Sequence, residues 1–406
     1  MNIFVINSGS SSIKYQLFQT PLSQPVCSGL IERIGLPDAV ITHKTYTGGT
    51  EQVTKISANI ATHEEGMLET GRLLTAPGTG VLQNPDEIDI VGHRIVHGGE
   101  TLTQTTVITP RVKDEIKKLF PLAPLHNPGH LKGIEVAEKI FKRATQIAVF
   151  DTAFHQTMPE KAFRYAVPDV FYKNYGIRVY GFHGISHKYV AGQAMKYLKK
   201  PDAKLITIHL GNGCSMAAIK AGVCVETSMG LTPLDGLIMG TRCGNIDASV
   251  LLYLMTEQGY TAERLTELLN KQSGMFGLTG QSDMRYIRKM LDEGSEAAKL
   301  AYEMYAYRIR KYIGSYAAAL EGLDAIVFTA GVGENDSLVR ELVCKDMRYF
   351  GISIEETKNR QPAGGFLDIS AVESGTKVLV IPTNEELEIA DQCLALINNK
   401  AGAPFN

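Results

Sequence analysis

Two arginines of this chain stand among glycines, and histidines and carboxylates gather in comparable segments. Arg94 lies in Gly92-His93-Arg94-Ile95-Val96-His97-Gly98-Gly99, and Arg242 in Gly240-Thr241-Arg242-Cys243-Gly244-Asn245. A planar guanidinium beside pliable backbone suits a two-point grip on a carboxylate or a phosphate. His126 stands between two prolines in Pro124-Leu125-His126-Asn127-Pro128-Gly129, which restricts its direction. Asp151 ends an apolar run in Phe150-Asp151-Thr152-Ala153-Phe154-His155, a place for a metal-holding carboxylate, a base or a helix N-cap. Tyr180-Gly181-Phe182-His183-Gly184-Ile185-Ser186-His187 reads as a glycine-flanked turn with two histidines, and Glu385 and Glu386 follow Pro382-Thr383-Asn384. Eight of the ten histidines fall between residues 93 and 209, which favours a polar site over scattered structural histidines. Arginines with a divalent metal match the charge of phosphoryl transfer better than a covalent nucleophile would.

Phosphate needs close backbone approach, and small residues allow it. Asn7-Ser8-Gly9-Ser10-Ser11-Ser12-Ile13-Lys14 offers backbone N–H groups, hydroxyls and one cation. It is no Walker A loop, since no glycine precedes Lys14, so a serine-rich hairpin turn stays open as the alternative. His209-Leu210-Gly211-Asn212-Gly213 is a second small turn, and Gly331-Val332-Gly333-Glu334-Asn335 follows an apolar strand as a nucleotide loop does. The His93/His97 spacing lacks the glutamate of a zinc helix, and Ser186 sits in no G-x-S-x-G elbow.

These residues need strands and helices to hold them. Ile3–Ile6 and Ile13–Leu17 predict a hairpin about the serine turn, and Leu205–Leu210 with Met216–Ile219 a second one some 200 residues on, a hint of duplication. Helical spacing is expected over 111–119, 131–141, 190–198, 248–257 and 296–320, and strands over 147–150, 325–328 and 378–381. Alternation of this kind predicts an α/β protein with ligands beyond the carboxyl ends of strands. At 406 residues the chain is long enough for two domains. A net charge of −2 excludes the basic excess of a nucleic-acid or membrane-surface binder. Six cysteines without a CxxC pair, no signal-peptide pattern and no apolar run of about 18 residues predict a cytoplasmic protein with reduced thiols.

Taken in order along nearly the whole chain, the motifs from Asn7–Lys14 to Asn384-Glu385-Glu386 resemble the acetate/propionate kinase family. The resemblance implies two duplicated actin-like (ribonuclease H-like) α/β domains around a nucleotide cleft. One would comprise residues 1–150 with 383–406 and carry the phosphate loop and the substrate arginine. The other would span 151–382 and carry nucleotide binding and dimerisation. It implies direct in-line transfer of the ATP γ-phosphoryl group to acetate, giving acetyl phosphate and ADP, with secondary propionate activity. Asn7 and Glu385 would hold Mg2+, with Mn2+ as the alternative ion. Lys14, Ser10 and Ser12 would contact ATP, as would His209, Leu210, Gly211, Asn212 and Gly213, then Asp283, Met284 and Arg285, then Gly331, Val332, Gly333, Glu334 and Asn335. Arg94 would hold the substrate carboxylate in an apolar pocket of Val96, Leu125, Phe182 and Pro233. Asp151, His183, Arg242 and His126 would be catalytic, and the chain would form a homodimer. Cys243 and Asn245 depart from the commoner Ser and Asp of the family, and Cys243 is expected to react with thiol reagents. A nucleotide-binding switch or a sugar kinase would not need Arg94, His183 and Arg242 together, and no GxGxxG supports a dinucleotide enzyme.

Overall fold

The computed structural model describes residues 1–401 except Ser10, Gly48, Leu125 and Ala363, so the expectations for Ser10 and Leu125 lie outside the described residues. The chain divides into two compact units, Met1–Phe154 with the segment from Asn384 onward, and His155–Thr383.

The first unit holds an eight-stranded sheet. Its strands are β1 (Asn2–Ser8), β2 (Ser12–Gln19), β3 (Cys27–Glu32), β4 (Ala39–Thr47), β5 (Thr50–Ala58), β6 (Ile90–Ile95), β7 (Thr106–Val107) and β8 (Thr145–Phe150). They lie in the order β5-β4-β3-β2-β1-β6-β8-β7. The β1–β5 meander is antiparallel, β6 and β8 add in parallel, and β7 closes the edge antiparallel to β8. Ile3, Phe4, Val5 and Ile6 are all buried, as a strand covered on both faces must be. Helices explain the two-sided cover. Val91 packs in the core with Val136, Ala137 and Phe141 at the helix Asn127–Ile140. A Cβ on the next residue, Gly92, would lie 2.9 Å from both Cys393 Sγ and Ile389 Cγ2 of the helix Glu385–Ala401. Successive strand residues point to opposite faces, so these helices cover opposite sides of the sheet. Arg94 shares the Gly92 side and faces the start of the Glu385–Ala401 helix.

The second unit holds β9 (Lys204–Leu210), β10 (Cys214–Lys220), β11 (Val223–Thr227), β12 (Ala325–Thr329), β13 (Leu367–Asp368) and β14 (Lys377–Val380). Their order is β11-β10-β9-β12-β14-β13. It repeats β3-β2-β1-β6-β8-β7 strand for strand, and every pairing keeps its direction. The two small-residue turns are therefore equivalent: each joins the first and second strands of its sheet. The duplication hinted at by two hairpins is a repeat of connectivity, with β4 and β5 added in the first unit. The helix Glu296–Leu320, capped by Ser295, and the helix Gly184–Leu198 pack on this second sheet.

Candidate functional site

In the first unit the site is built on Arg94, one residue before the end of β6. Its Nε and Nη2 donate to Asp151 Oδ1 and Oδ2 at 3.2 and 2.6 Å, and Nη1 donates to Asn7 Oδ1 at 3.2 Å. Glu385 Oε2 lies 3.6 Å from Nε. Asp151 is held by its position just past β8, the parallel neighbour of β6, where its N–H donates to Ile95 O at 2.9 Å. Asn7 comes from the end of β1 and Glu385 from the first turn of the last helix, so three parallel-strand ends and a helix start converge. Burial pulls the guanidinium down, but Asp151, Glu385 and Glu386 outweigh it and hold Arg94 above its ordinary value. Burial lifts the Asp151 carboxyl to about 6, with Arg94 opposing and Glu385 adding to the rise. Lys14 pairs with Glu386 at 2.8 Å. One amide and two carboxylate oxygens suit a hard divalent cation such as Mg2+, which keeps several waters and shares substrate phosphates. A cluster of three or more His, Cys, Asp or Glu able to hold a metal is absent among the described residues.

Around these residues, His126 occupies the N-cap position of the helix Asn127–Ile140 instead of a free loop. Val96 is buried, and its N–H donates to His130 Nδ1 at 3.3 Å. His63 Nε2 sits 2.8 Å from Gly9 O, which ties the serine turn to the helix His63–Thr75. Sequence analysis assigned no role to His130 or His63, although His130 follows Gly129 and His63 precedes Glu64-Glu65, because their partners, Val96 N–H and Gly9 O, are distant in the chain.

In the second unit His183 and Arg242 come together at Gly213. A Cβ built there would lie 3.3 Å from His183 Cε1, 3.4 Å from Nε2 and 3.6 Å from Arg242 Nη1. His183 has a left-handed backbone, φ 57°, at the N-cap of the helix Gly184–Leu198, a costly conformation for a non-glycine residue. Its ring stacks on His209 with centroids 4.2 Å apart. Arg242 Nη1 donates to Pro233 O at 2.8 Å, and burial lowers the guanidinium from its ordinary value. Phe182 is buried, and its carbonyl lies 2.9 Å from His155 Nε2.

A cavity of about 950 Å3 opens in the same unit. Gly211, Asn212, Asp283, Met284, Arg285, Gly331, Val332 and Asn335 line it, together with Gly240, Ser282, Tyr305 and Asp336. Leu210 is a fully buried β9 residue, and Glu334 Oε1 accepts from Thr383 N at 3.2 Å. Residues 331–335 lie in a short helix, Ala330–Asn335, and not in the expected loop. Asp283 caps the helix Met284–Asp292 and binds Arg285 through both carboxylate oxygens. His187 is likewise inside a helix and fully buried, where a turn was expected. Burial raises the Cys243 thiol, and its Sγ donates to Gly244 O at 3.1 Å, which argues against the expected reactivity.

The Acetokinase family profile matches residues 2–391. The acetate kinase of Flavobacterium johnsoniae is 53% identical over 399 residues, covering 98% of this chain and all of the relative. That of Nitratidesulfovibrio vulgaris (strain Miyazaki F) is 50% identical over 404 residues, with 98% and 100% covered. Among solved structures, Porphyromonas gingivalis acetate kinase superposes with a TM-score of 0.91 at 43% identity, covering 98% of this chain and 99% of that one. A propionate kinase from Francisella tularensis gives 0.88 at 39% identity, over 96% and 98%. With these likenesses running the length of both sheets, the chain belongs to the acetokinase family, enzymes that transfer a phosphoryl group to a carboxyl group.

Proposed function

We propose that this enzyme transfers the γ-phosphoryl group of ATP to acetate, reversibly, giving acetyl phosphate and ADP. The observation that carries the reading is the state of Arg94. A guanidinium has five N–H donors. The contacts among the described residues use Nε–H and one hydrogen on each terminal nitrogen. One hydrogen on each terminal nitrogen is left, which matches the two oxygens of a small carboxylate. Asp151 fixes the plane of that fork.

Acetate is ionised at neutral pH, so its oxygen attacks the γ-phosphorus without a strong base. His183 and Arg242, converging beside Gly213, would stabilise charge on the transferred group, with His126 assisting in the first unit. The 950 Å3 cavity would take the nucleoside. Lys14, Ser12 and the Gly211–Gly213 turn would meet the phosphates, with the first unit as the phosphate-loop domain and the second as the nucleotide domain. Asn7 and Glu385, with Asp151 orienting them, would hold Mg2+ or Mn2+, which supplies neutralisation of phosphate charge when bound. Val96 favours acetate over propionate by its bulk, with propionate a secondary substrate.

A homodimer through the second unit is part of the proposal. The helix Ala248–Gln258 buries none of its residues, and Leu252, Tyr253 and Met255 stand exposed on it. Six free cysteines fit a reducing compartment such as the cytoplasm. The test is acyl phosphate formation, trapped with hydroxylamine, from MgATP and acetate, propionate or butyrate. A signal strongest with acetate and lost in Arg242→Ala is expected. No signal with any carboxylate, despite ATP binding, would favour a nucleotide switch.

A further inference from the structure

Behind His183 runs a chain of buried side chains with no part in the chemistry described so far. His183 Nδ1 lies 2.9 Å from Ser215 Oγ. Ser215 Oγ lies 2.8 Å from His187 Nε2, and His187 Nδ1 lies 2.7 Å from Thr207 Oγ1. Ser215, His187 and Thr207 are each fully buried. Thr207 and Ser215 belong to the paired strands β9 and β10, and His187 to the helix packed on β9, so the chain is anchored in the rigid part of the unit.

We propose that Ser215, backed by His187 and Thr207, is a positioning residue that fixes the orientation and tautomer of His183. The inference rests on the reading of His183 given above. The direction of the bonds follows from counting protons. Burial drives His187 well below its ordinary value, so its ring is neutral and carries one N–H. The Thr207 hydroxyl has the carbonyl of Ala217 as an acceptor at 3.5 Å, so it accepts from His187 Nδ1–H. His187 Nε2 then accepts the Ser215 proton, and Ser215 Oγ accepts from His183 Nδ1–H. His183 is held with its proton on Nδ1, and Nε2 lies on the Gly213 side, toward Arg242 Nη1. A proton held at Nε2 would be offered there, as a hydrogen bond, to an incoming phosphoryl oxygen. A ring free to turn or to change tautomer would offer the wrong nitrogen part of the time.

The experiment compares wild type, Ser215→Ala, Thr207→Val and His183→Ala by steady-state kinetics and by 15N spectra of the histidine rings, with His183→Ala assigning the His183 signal. Thermal melts report folding. Ser215→Ala should lower kcat about 10–100-fold, the usual effect of losing a supporting hydrogen bond. Its KM for acetate and ATP should stay within about twofold. The His183 signal should move from the Nδ1–H form to a tautomer mixture, and Thr207→Val should shift it the same way, less far. Thr207→Val decides the matter if Ser215→Ala does not fold. Unchanged kcat and an unchanged His183 signal in the folded variants would overturn the proposal. Full activity of His183→Ala would instead overturn the role given to His183, while the ring spectra still report on the relay.

Discussion

Asp151 covers the Nε–Nη2 edge of Arg94 with both carboxylate oxygens, at 3.2 and 2.6 Å, while its own side chain is 1% exposed. On the proposed role of Arg94, a substrate carboxylate would be offered the terminal nitrogens only, in a plane set by Asp151. Removing Asp151 leaves a largely buried cation without its main partner. Asp151→Ala should cost about 3 kcal/mol of stability in denaturant unfolding, at the low end for broken buried pairs because Glu385 stays near. Asp151→Asn should fold but lower kcat and require more Mg2+. Full activity with unchanged Mg2+ dependence would remove the metal-orienting role.

Gly213 marks the point where His183 and Arg242 meet. Its conformation is open to other residues, so Gly213→Ala tests space alone. The added methyl would stand 3.3 Å from the imidazole and 3.6 Å from the guanidinium, where a phosphoryl oxygen would lie. The variant should keep its melting temperature and lose about 100-fold in kcat, comparable to loss of one charge-stabilising donor. Wild-type kcat would place the reacting phosphoryl elsewhere.

Val96 is nearly fully buried at the strand end that carries Arg94. Truncation to Ala makes room for one more methylene, a change worth about 1–3 kcal/mol in discrimination. Val96→Ala should raise the ratio of kcat/KM for propionate over acetate by about tenfold. An unchanged ratio would take Val96 out of the acyl pocket.

Buried histidines make stability fall in weak acid. Burial lowers His93, His97 and His155 to about 4 and His130 to about 3, and it holds His187 well below its ordinary value. In the unfolded chain each titrates near 6.5. Their contribution is complete above pH 6.5 and is lost as pH falls from there through about 4, because only the unfolded chain takes up protons. Each costs about 1.4 kcal/mol per pH unit in that window. Asp151, raised by burial, acts in the opposite direction but is a single group. The unfolding midpoint in urea should drop steeply from pH 7 to pH 5. A flat profile would show that these rings stay accessible to protons.

Much of the architecture was legible because it rests on local rules. The turns at Gly9 and at Gly211–Gly213 break apolar runs, and the 296–320 periodicity marks a helix whose observed bounds are Glu296–Leu320. Where small residues carry a helix, local rules misled. Gly331–Asn335 reads as a loop by composition, yet its backbone winds directly out of β12. His187 looks like a turn residue until the left-handed His183 starts a helix one residue later.

By itself the sequence determined which groups are available: two arginines among glycines, acids after apolar strands, and two hairpins able to approach phosphate. The likeness of its ordered motifs to one family supplied their expected roles. Only the tertiary structure decided which groups meet. Asn7, Arg94, Asp151 and Glu385 are spread over 379 positions (385 − 7 + 1), and parallel strand pairing with one covering helix brings them within hydrogen-bond or ion-pair reach. The parts of Ser215 and His130 depend on which groups face them in the folded chain, the His187 ring and the Val96 N–H. Pairing between distant strands depends on side-chain burial over the whole sheet, and no window of the chain contains that information.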